Sequence, residues 1–306
     1  MADVTVVVAT RNRRDRLLQT LDGLAALPEA PPVIVVDNGS SDGSADAVRS
    51  LQHERPGLEL VALPENRGAP ARTVGVERAR TSYVAFTDDD SGWMPGALAR
   101  AAAHLDAHPH VGLLAATVLI GGGSAGDRQR RPDPVSMAMA VSPLASSRPL
   151  PGPPVLGFMA CGAVVRRVAY LQVGGFSPVL FFVGEERLLA FDLVASGWDV
   201  AYAPDVEAVH QPGRRGDDPA RQALALRNDL LVEWMRRPLR VALRSSGALA
   251  ARALREPVAR AGLSGALRRA PAAVRRRNPL PPHIERQVRL LENFQQLDQP
   301  DQPGPG

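Results

Sequence analysis

The sequence predicts an α/β fold with a mostly parallel sheet. Three observations carry this expectation: short β-branched runs, stretches of leucine and alanine at helical spacing between them, and a polar cluster closing each run. Strands alternating with helices build parallel sheets through crossover connections. A chain of 306 residues with an apolar fraction of 45% suffices for one large domain with an appendage.

The elements follow in order. Val4–Thr10 is mainly β-branched, as in a strand buried on both faces. Leucines at 17, 18, 21, 24 and 27 predict a helix over 13–27, stopped by Pro28. Val33–Asp37, Leu58–Ala62 and residues 83–87 read as strands, and 44–53 and 69–80 as helices. Residues 95–108 predict a helix and Val111–Ile120 a strand. Segment 121–154 contains GGGSAG, RQRRPDP and RPLPGPP, which predicts an irregular loop serving as a lid, an acceptor loop or a plain insertion. Order is expected to return over 155–165, 167–173, 185–196 and 200–202. From about Arg221 the pattern is helical and Arg-rich, with breaks expected at Pro238, Pro257, Pro271 and 279–282. Residues 295–306 are mostly Gln, Asp, Pro and Gly, and predict disorder. The expected organisation is a domain over 1–212 (halves 1–120 and 155–212 around the loop 121–154), a basic helical extension over 213–294, and the tail 295–306.

All 36 basic residues are arginine. Without lysine there is no Schiff-base chemistry, no lysine-anchored phosphate loop and no kinase-type ATP lysine. The charge is split: residues 1–209 hold 18 arginines against 23 acids, and residues 210–306 hold 18 against 9. The single cysteine, Cys161, excludes an intramolecular disulfide and a cysteine-based zinc site. The first residues lack the basic and apolar regions of a signal peptide. The longest apolar runs, Val111–Ile120 and residues 155–165, fall short of the roughly 18–20 residues that cross a bilayer. The expected location is cytoplasmic, either soluble or peripheral at the inner membrane face.

In such sheets ligands bind beyond the carboxyl ends of the strands. Those ends carry Thr10-Arg11-Asn12-Arg13, then Asp37-Asn38-Gly39 with Asp42 and Ser44, then Glu65-Asn66-Arg67-Gly68, then Asp88-Asp89-Asp90. Taken singly, Asp37-Asn38-Gly39 also suits a turn, and Asp42 or Ser44 a helix cap. Four polar clusters on one rim point instead to a site. Three adjacent carboxylates repel one another unless a cation sits there, and alternation along an extended chain puts Asp88 and Asp90 on one face. Their hard oxygens suit Mg²⁺ or Mn²⁺.

Four stretches together resemble a family 2 glycosyltransferase of the GT-A fold: VVVATRNRRDRL, VVDNGSSDGS, ENRGAPARTVGVERA followed by YVAFTDDD, and the run from CGAVVRR to VEAVHQ. The resemblance covers roughly residues 3–212. It implies that Thr10 and Arg13 line the nucleotide pocket, that Asp37 contacts the base with Asp42 in the same loop, and that Arg67 approaches the nucleotide. It matches Asp88, Asp89 and Asp90 to the DxD motif, with Asp88 toward the ribose and Asp90 toward metal and diphosphate, and places His210 near the metal. The implied ligand set is thus Asp90, Asp88 and His210 around Mn²⁺ or Mg²⁺.

The implied reaction moves a sugar, with inversion, from a UDP-, dTDP- or GDP-sugar to an acceptor hydroxyl. Such a hydroxyl needs a carboxylate to take its proton. Glu185-Glu186 matches the family's acidic pair, with Glu186 as base and Glu185 orienting the acceptor; acids at a helix start also suit the macrodipole. Leu188 and Thr73 depart from the family pattern, where an acid and an asparagine are common. Those departures leave a non-catalytic nucleotide-sugar-binding or scaffold protein as the alternative. Trp93 and Trp198 could stack on sugars or pack in the core.

Between residues 236 and 289 there are 14 arginines and two acids, Glu256 and Glu285, interleaved with Leu, Val and Ala. This pattern fits an anionic membrane surface, packing on the enzyme domain, or a homodimer contact. Nucleic acid is not expected, because no binding module or aromatic platform accompanies the charge.

Overall fold

The computed structural model describes residues 3–121, 130–211 and 218–297. Its centre is a mixed sheet flanked by helices. The first half follows the expected alternation: β1 (Val4–Thr10), α1 (Arg14–Ala25), β2 (Val33–Asp37), α2 (Ser44–Gln52), β3 (Leu58–Ala62), α3 (Ala71–Arg78) and β4 (Tyr83–Asp88). Then come β5 (Ser91–Trp93), α4 (Ala97–Ala107), β6 (Val111–Ile120), β7 (Arg131–Pro132), α5 (Pro134–Ala140), β8 (Ala163–Arg166), α6 (Arg167–Gln172), α7 (Glu185–Ala195) and β9 (Asp199–His210). Strand order is β3-β2-β1-β4-β8-β6-β9-β5, with β7 on β6. Strands β1 to β4 pair in parallel, as does β6 with β9, whereas β8 runs antiparallel between β4 and β6.

Period-two alternation builds the two faces. Val4, Val6 and Val8 of β1 point to one core with Leu17, Leu21 and Leu24 of α1 and Leu98 and Leu105 of α4. Val7, with Val36 and Phe86, points to the other, with Val76 of α3, Tyr170 of α6 and Leu189 of α7. Such two-sided burial is why these strands read as continuous β-branched runs. Register then levels the rim, because Thr10 lies opposite Asp37 and Ala9 opposite Asp88.

Three local expectations fail. Within 121–154, β7 and α5 are regular; Asp133 caps α5 by accepting the Val135 N–H at 2.8 Å, and Pro134 opens the helix. That acid-proline start is a helix signal hidden in a Pro-rich context. Strand β9 continues to His210, well past residue 202, because the register shift after Ala116 lets the chain bulge past Pro204. Pro271 does not break its helix.

Four helices follow: α8 (Pro219–Arg236), α9 (Leu239–Ala253), α10 (Pro257–Arg275) and α11 (Pro282–Leu297). Residues 295–297 therefore close α11, and the rest of the tail expected to be disordered lies outside the described residues. Residues 122–129 of the expected loop lie outside them too. Leu188 and Phe191 of α7 pack with Leu230 and Leu231 of α8 in a third core that runs on through α9 to α11. Arg237, 1% exposed, ties the α8–α9 junction to Glu285 at 2.8 Å and to Glu292 on α11.

Helix α3 rests directly on the sheet. A Cβ at Gly75 would lie 2.5 Å from Val7 Cγ1 and 3.2 Å from Val36 Cγ2. Gly75→Ala gains about 1 kcal/mol of helix propensity, yet overpacking should leave a net loss of about 1–3 kcal/mol. Urea denaturation checks this; an unchanged or raised midpoint would contradict the packing.

Candidate active site

Loops from β1, β2 and β3 form one hydrogen-bonded rim. Ser41 N donates to Asn12 Oδ1 at 2.8 Å and Asn12 N to Ser40 Oγ at 3.0 Å. Asn38 Oδ1 accepts the Arg67 N–H at 2.7 Å, and Asn38 Nδ2 donates to the Gly68 carbonyl at 3.1 Å. Asp37 lies buried beneath; Oδ2 accepts the Ser40 N–H at 3.2 Å, and Oδ1 has no partner. Asp42 orders the rim, since its carboxylate takes the N–H groups of Arg14 and Ser44, both at 3.0 Å, and the Ser44 hydroxyl at 2.5 Å. The Ser44 bond leads in holding its carboxyl below the usual range. Arg67 joins through its backbone, and its side chain is exposed.

The Asp triplet faces arginines. Asp88 pairs with Arg72, a buried residue of α3. Asp89 accepts from Thr10 Oγ1 at 3.0 Å and Arg13 Nη1 at 3.1 Å. Asp90 accepts from Arg13 Nη1 at 2.9 Å, with Arg16 Nη1 at 3.8 Å. The repulsion expected of three adjacent acids is thus offset by guanidinium groups. Burial pushes the Asp89 carboxyl up in spite of Arg13; for Asp90 burial is outweighed by His210 and Arg13, and its carboxyl sits low.

The expected ligand trio is only partly assembled. Antiparallel pairing of β5 with β9 sets Ser91 opposite His210 and brings His210 Nε2 to 3.3 Å from Asp90 Oδ1. That nitrogen is buried and makes no hydrogen bond. Asp88 is engaged with Arg72 instead, and among the described residues no three His, Cys, Asp or Glu side chains converge. The chain turns after Asp88, so the same-face expectation for Asp88 and Asp90 fails: they meet different partners. The Asp90–His210 pair alone offers an oxygen and an orphaned nitrogen side by side, a donor set that fits a divalent cation completed by phosphate oxygens.

Glu185 and Glu186 open α7 behind Gly184, whose φ is 80°. Glu185 is 2% exposed and its Oε2 has no partner. Burial, with Glu186 adding to it, pushes its carboxyl up to about 8. Glu186 keeps more contact with solvent, and crowding by protein raises its carboxyl as well. Arg72 links the two halves: it pairs with Asp88 and also feels the charges of Glu185 and Glu186, which hold it protonated against the cost of burial. Sequence reasoning missed Arg72, because an arginine on a short helix reads as a solvated surface residue. It also missed Arg16 and Thr20, whose hydroxyl donates to the Asp89 carbonyl at 3.0 Å.

The remaining candidates make packing contacts, though Trp93 also borders the cleft beside Asp89 and Asp90. Trp93 is buried and donates to Thr87 Oγ1 at 2.9 Å, and Trp198 lies against Gly112. Thr73 bonds the Tyr170 hydroxyl at 2.9 Å, and Leu188 fills the core beneath α8. Both departures from the expected pattern thus point away from the rim. A cleft of about 1230 Å³ lies beside Asp89 and Asp90, walled by Arg16, Trp93 and Arg131; Asp37 and Glu186 are outside it.

The model of glycosyl transferase family 2 matches residues 5–174, more than half of the sequence. The chain belongs to that family. An N-acetylglucosaminyl-diphospho-decaprenol L-rhamnosyltransferase of Mycobacterium tuberculosis is 28% identical over 285 residues, 81% of this chain and 92% of its own length. The succinoglycan biosynthesis protein ExoU of Rhizobium meliloti is 32% identical over 97 residues, 31% of this chain and 28% of its own. Among solved structures, the mannosyltransferase PcManGT of Pyrobaculum calidifontis, in complex with GDP-Man and Mn²⁺, superposes with a TM-score of 0.57 at 23% identity, covering 96% of this chain and 80% of that one. The fold is therefore GT-A, and a member of this family with such relatives is a glycosyltransferase rather than a mere scaffold.

The pH dependence of stability should report Glu185. A carboxyl raised in the folded state contributes stability that is complete below its unfolded value, near 4.5, and lost as pH climbs to about 8. Glu185→Gln should remove that downward slope between those limits. Urea titrations of both proteins across the window check it; parallel curves would contradict the assignment.

Proposed function

We propose that this chain moves a sugar from a nucleotide diphosphate sugar (UDP-, dTDP- or GDP-linked) to an acceptor hydroxyl, with inversion. The observation that carries this is Arg72, buried between Asp88 of the rim and the Glu185–Glu186 pair. It joins a phosphate-and-cation rim to a proton acceptor across one shared charge.

The roles follow from accessibility and charge. Asp37 Oδ1, buried without a partner, suits a nucleobase N–H. Thr10 and Asp42 order the nucleotide loop, Arg67 borders it, and Asp88 and Asp89 flank the ribose and diphosphate. Arg13 and Arg16 reach solvent and can meet phosphate oxygens. Asp90 and His210 would hold Mn²⁺ or Mg²⁺, which supplies charge neutralisation for the leaving diphosphate. Glu186, the more accessible of the pair, takes the acceptor proton while Glu185 orients the acceptor. The acceptor oxygen bonds to the anomeric carbon as the bond to phosphate breaks, and one displacement inverts that carbon.

A thermal-shift screen of UDP-, dTDP- and GDP-sugars with Mn²⁺ should give several degrees for one nucleotide. Asp90→Ala should lose that shift. Glu186→Gln should keep it and lower kcat by about 10²–10⁴. No shift with any donor, or full activity in Glu186→Gln, would refute the reading.

The C-terminal helices have an outward face of their own. Leu239 and Leu243 on α9, Leu254 just after it, and Leu267 and Val274 on α10 are exposed. Arg240, Arg244, Arg255, Arg268 and Arg275 beside them are exposed, without an acidic partner among the described residues. We infer contact with an anionic lipid surface, since a second copy would set arginine against arginine. No helix among the described residues is long and apolar enough to cross a membrane. The full chain should sediment with phosphatidylserine vesicles, less so in high salt, and Leu243→Glu with Leu254→Glu should abolish this. Concentration-dependent dimers without vesicle binding would favour the protein contact instead.

A further inference from the structure

The segment before the glutamate pair belongs to no helix or strand, so its carbonyls have no ladder to join. All six from Pro178 to Val183 are held from elsewhere. Arg269 Nη1 of α10 donates to Pro178 O at 3.3 Å and Val179 O at 2.9 Å. Arg227 Nη2 of α8 donates to Leu180 O at 2.6 Å. The two N–H of Asn228 Nδ2, also on α8, serve Phe182 O at 2.7 Å and Val183 O at 2.6 Å, with Leu180 O a further 3.1 Å contact. The sixth, Phe181 O, accepts the Ala69 N–H from the rim side at 2.7 Å.

Asn228 is 1% exposed, and its Oδ1 accepts Arg227 Nε at 2.9 Å, which leaves the amide NH₂ aimed at the loop. The loop needs such restraint. Phe181 has φ 69° and Val183 φ 73°, left-handed values that bulky and β-branched residues avoid. Backbone of this kind persists where its surroundings over-determine it. A Cβ on Gly68 would lie 2.2 Å from Phe181 O, so the rim side of the loop is equally closed.

We propose that α8 and α10 position the acceptor-side acids, with Asn228 as the central positioning residue, so that the C-terminal helices complete the active site. The link to chemistry rests on Glu186 as base; the clamp itself does not. Removing the residues from 236 onward would take Arg269 and the packing of α10 on α8 with them.

The test uses the full chain, Asn228→Ala and, as a milder second variant, Arg269→Met, which keeps the aliphatic stem. Hydrogen exchange by mass spectrometry should rise at least about tenfold over 177–186 in Asn228→Ala and less in Arg269→Met, with β1 and β4 unchanged. With the donor identified by thermal shift, kcat in Asn228→Ala should fall about 100-fold while its KM for donor stays within about twofold. Unchanged exchange over 177–186, a uniform rise across the chain, or full kcat in a folded variant would overturn the proposal. Glu186→Gln is run alongside: if it is fully active, the base assignment fails while the exchange result still judges the clamp.

Discussion

The arrangement depends on burying carboxylates beside fixed guanidinium groups. Asp88 with Arg72 and Asp89 and Asp90 with Arg13 crowd negative charge into a rim that would otherwise repel itself. Arginine suits this work because it stays charged where burial would discharge a lysine. A rim neutralised in this way stands ready before any ligand arrives. Glu185 is the contrasting case: without a direct cationic partner, its carboxyl is driven up by burial. Asp90 and Glu185 are thereby tuned in opposite directions, one held low by His210 and Arg13 and the other raised by burial.

The legible part of the fold was the part whose physics is local. Strands β1, β2, β3 and β6 keep the boundaries read from their β-branched runs, since burial on both faces leaves an unbroken apolar signature. The strand-end polar residues were legible for the same reason: the topology delivers them to one edge. Asp133-Pro134 was misread because a proline at the first helical position starts a helix, and composition does not register position, whereas nothing in the structure explains why α10 tolerates Pro271 in its interior. Arg72, Asn228 and the β9 bulge needed contacts between separate elements, which periodicity cannot display.

The departures at Thr73 and Leu188 illustrate the same point. In sequence they weakened the acceptor side of the site. In space Thr73 faces Tyr170 and Leu188 faces α8, so each answers a packing demand of its own neighbourhood. Core chemistry at those positions leaves the Glu185–Glu186 carboxyls where they are. The charge split between the halves has a similar origin: Arg227, Arg236, Arg237 and Arg269 are consumed in internal bonds, and the outward arginines of α9 and α10 make up the surplus.

The grip on residues 178–183 acts on carbonyl oxygens, which every amino acid carries. Val179 and Leu180 also anchor the loop through the third core, but an outward side chain there can be exchanged without removing a backbone anchor. Phe182, already 39% exposed, is such a position. A scaffold that holds backbone and leaves outward side chains free would, on the proposed assignment, separate where the acceptor groups stand from what they recognise. New acceptor preferences could then arise by substitution in the loop while Glu186 keeps its place.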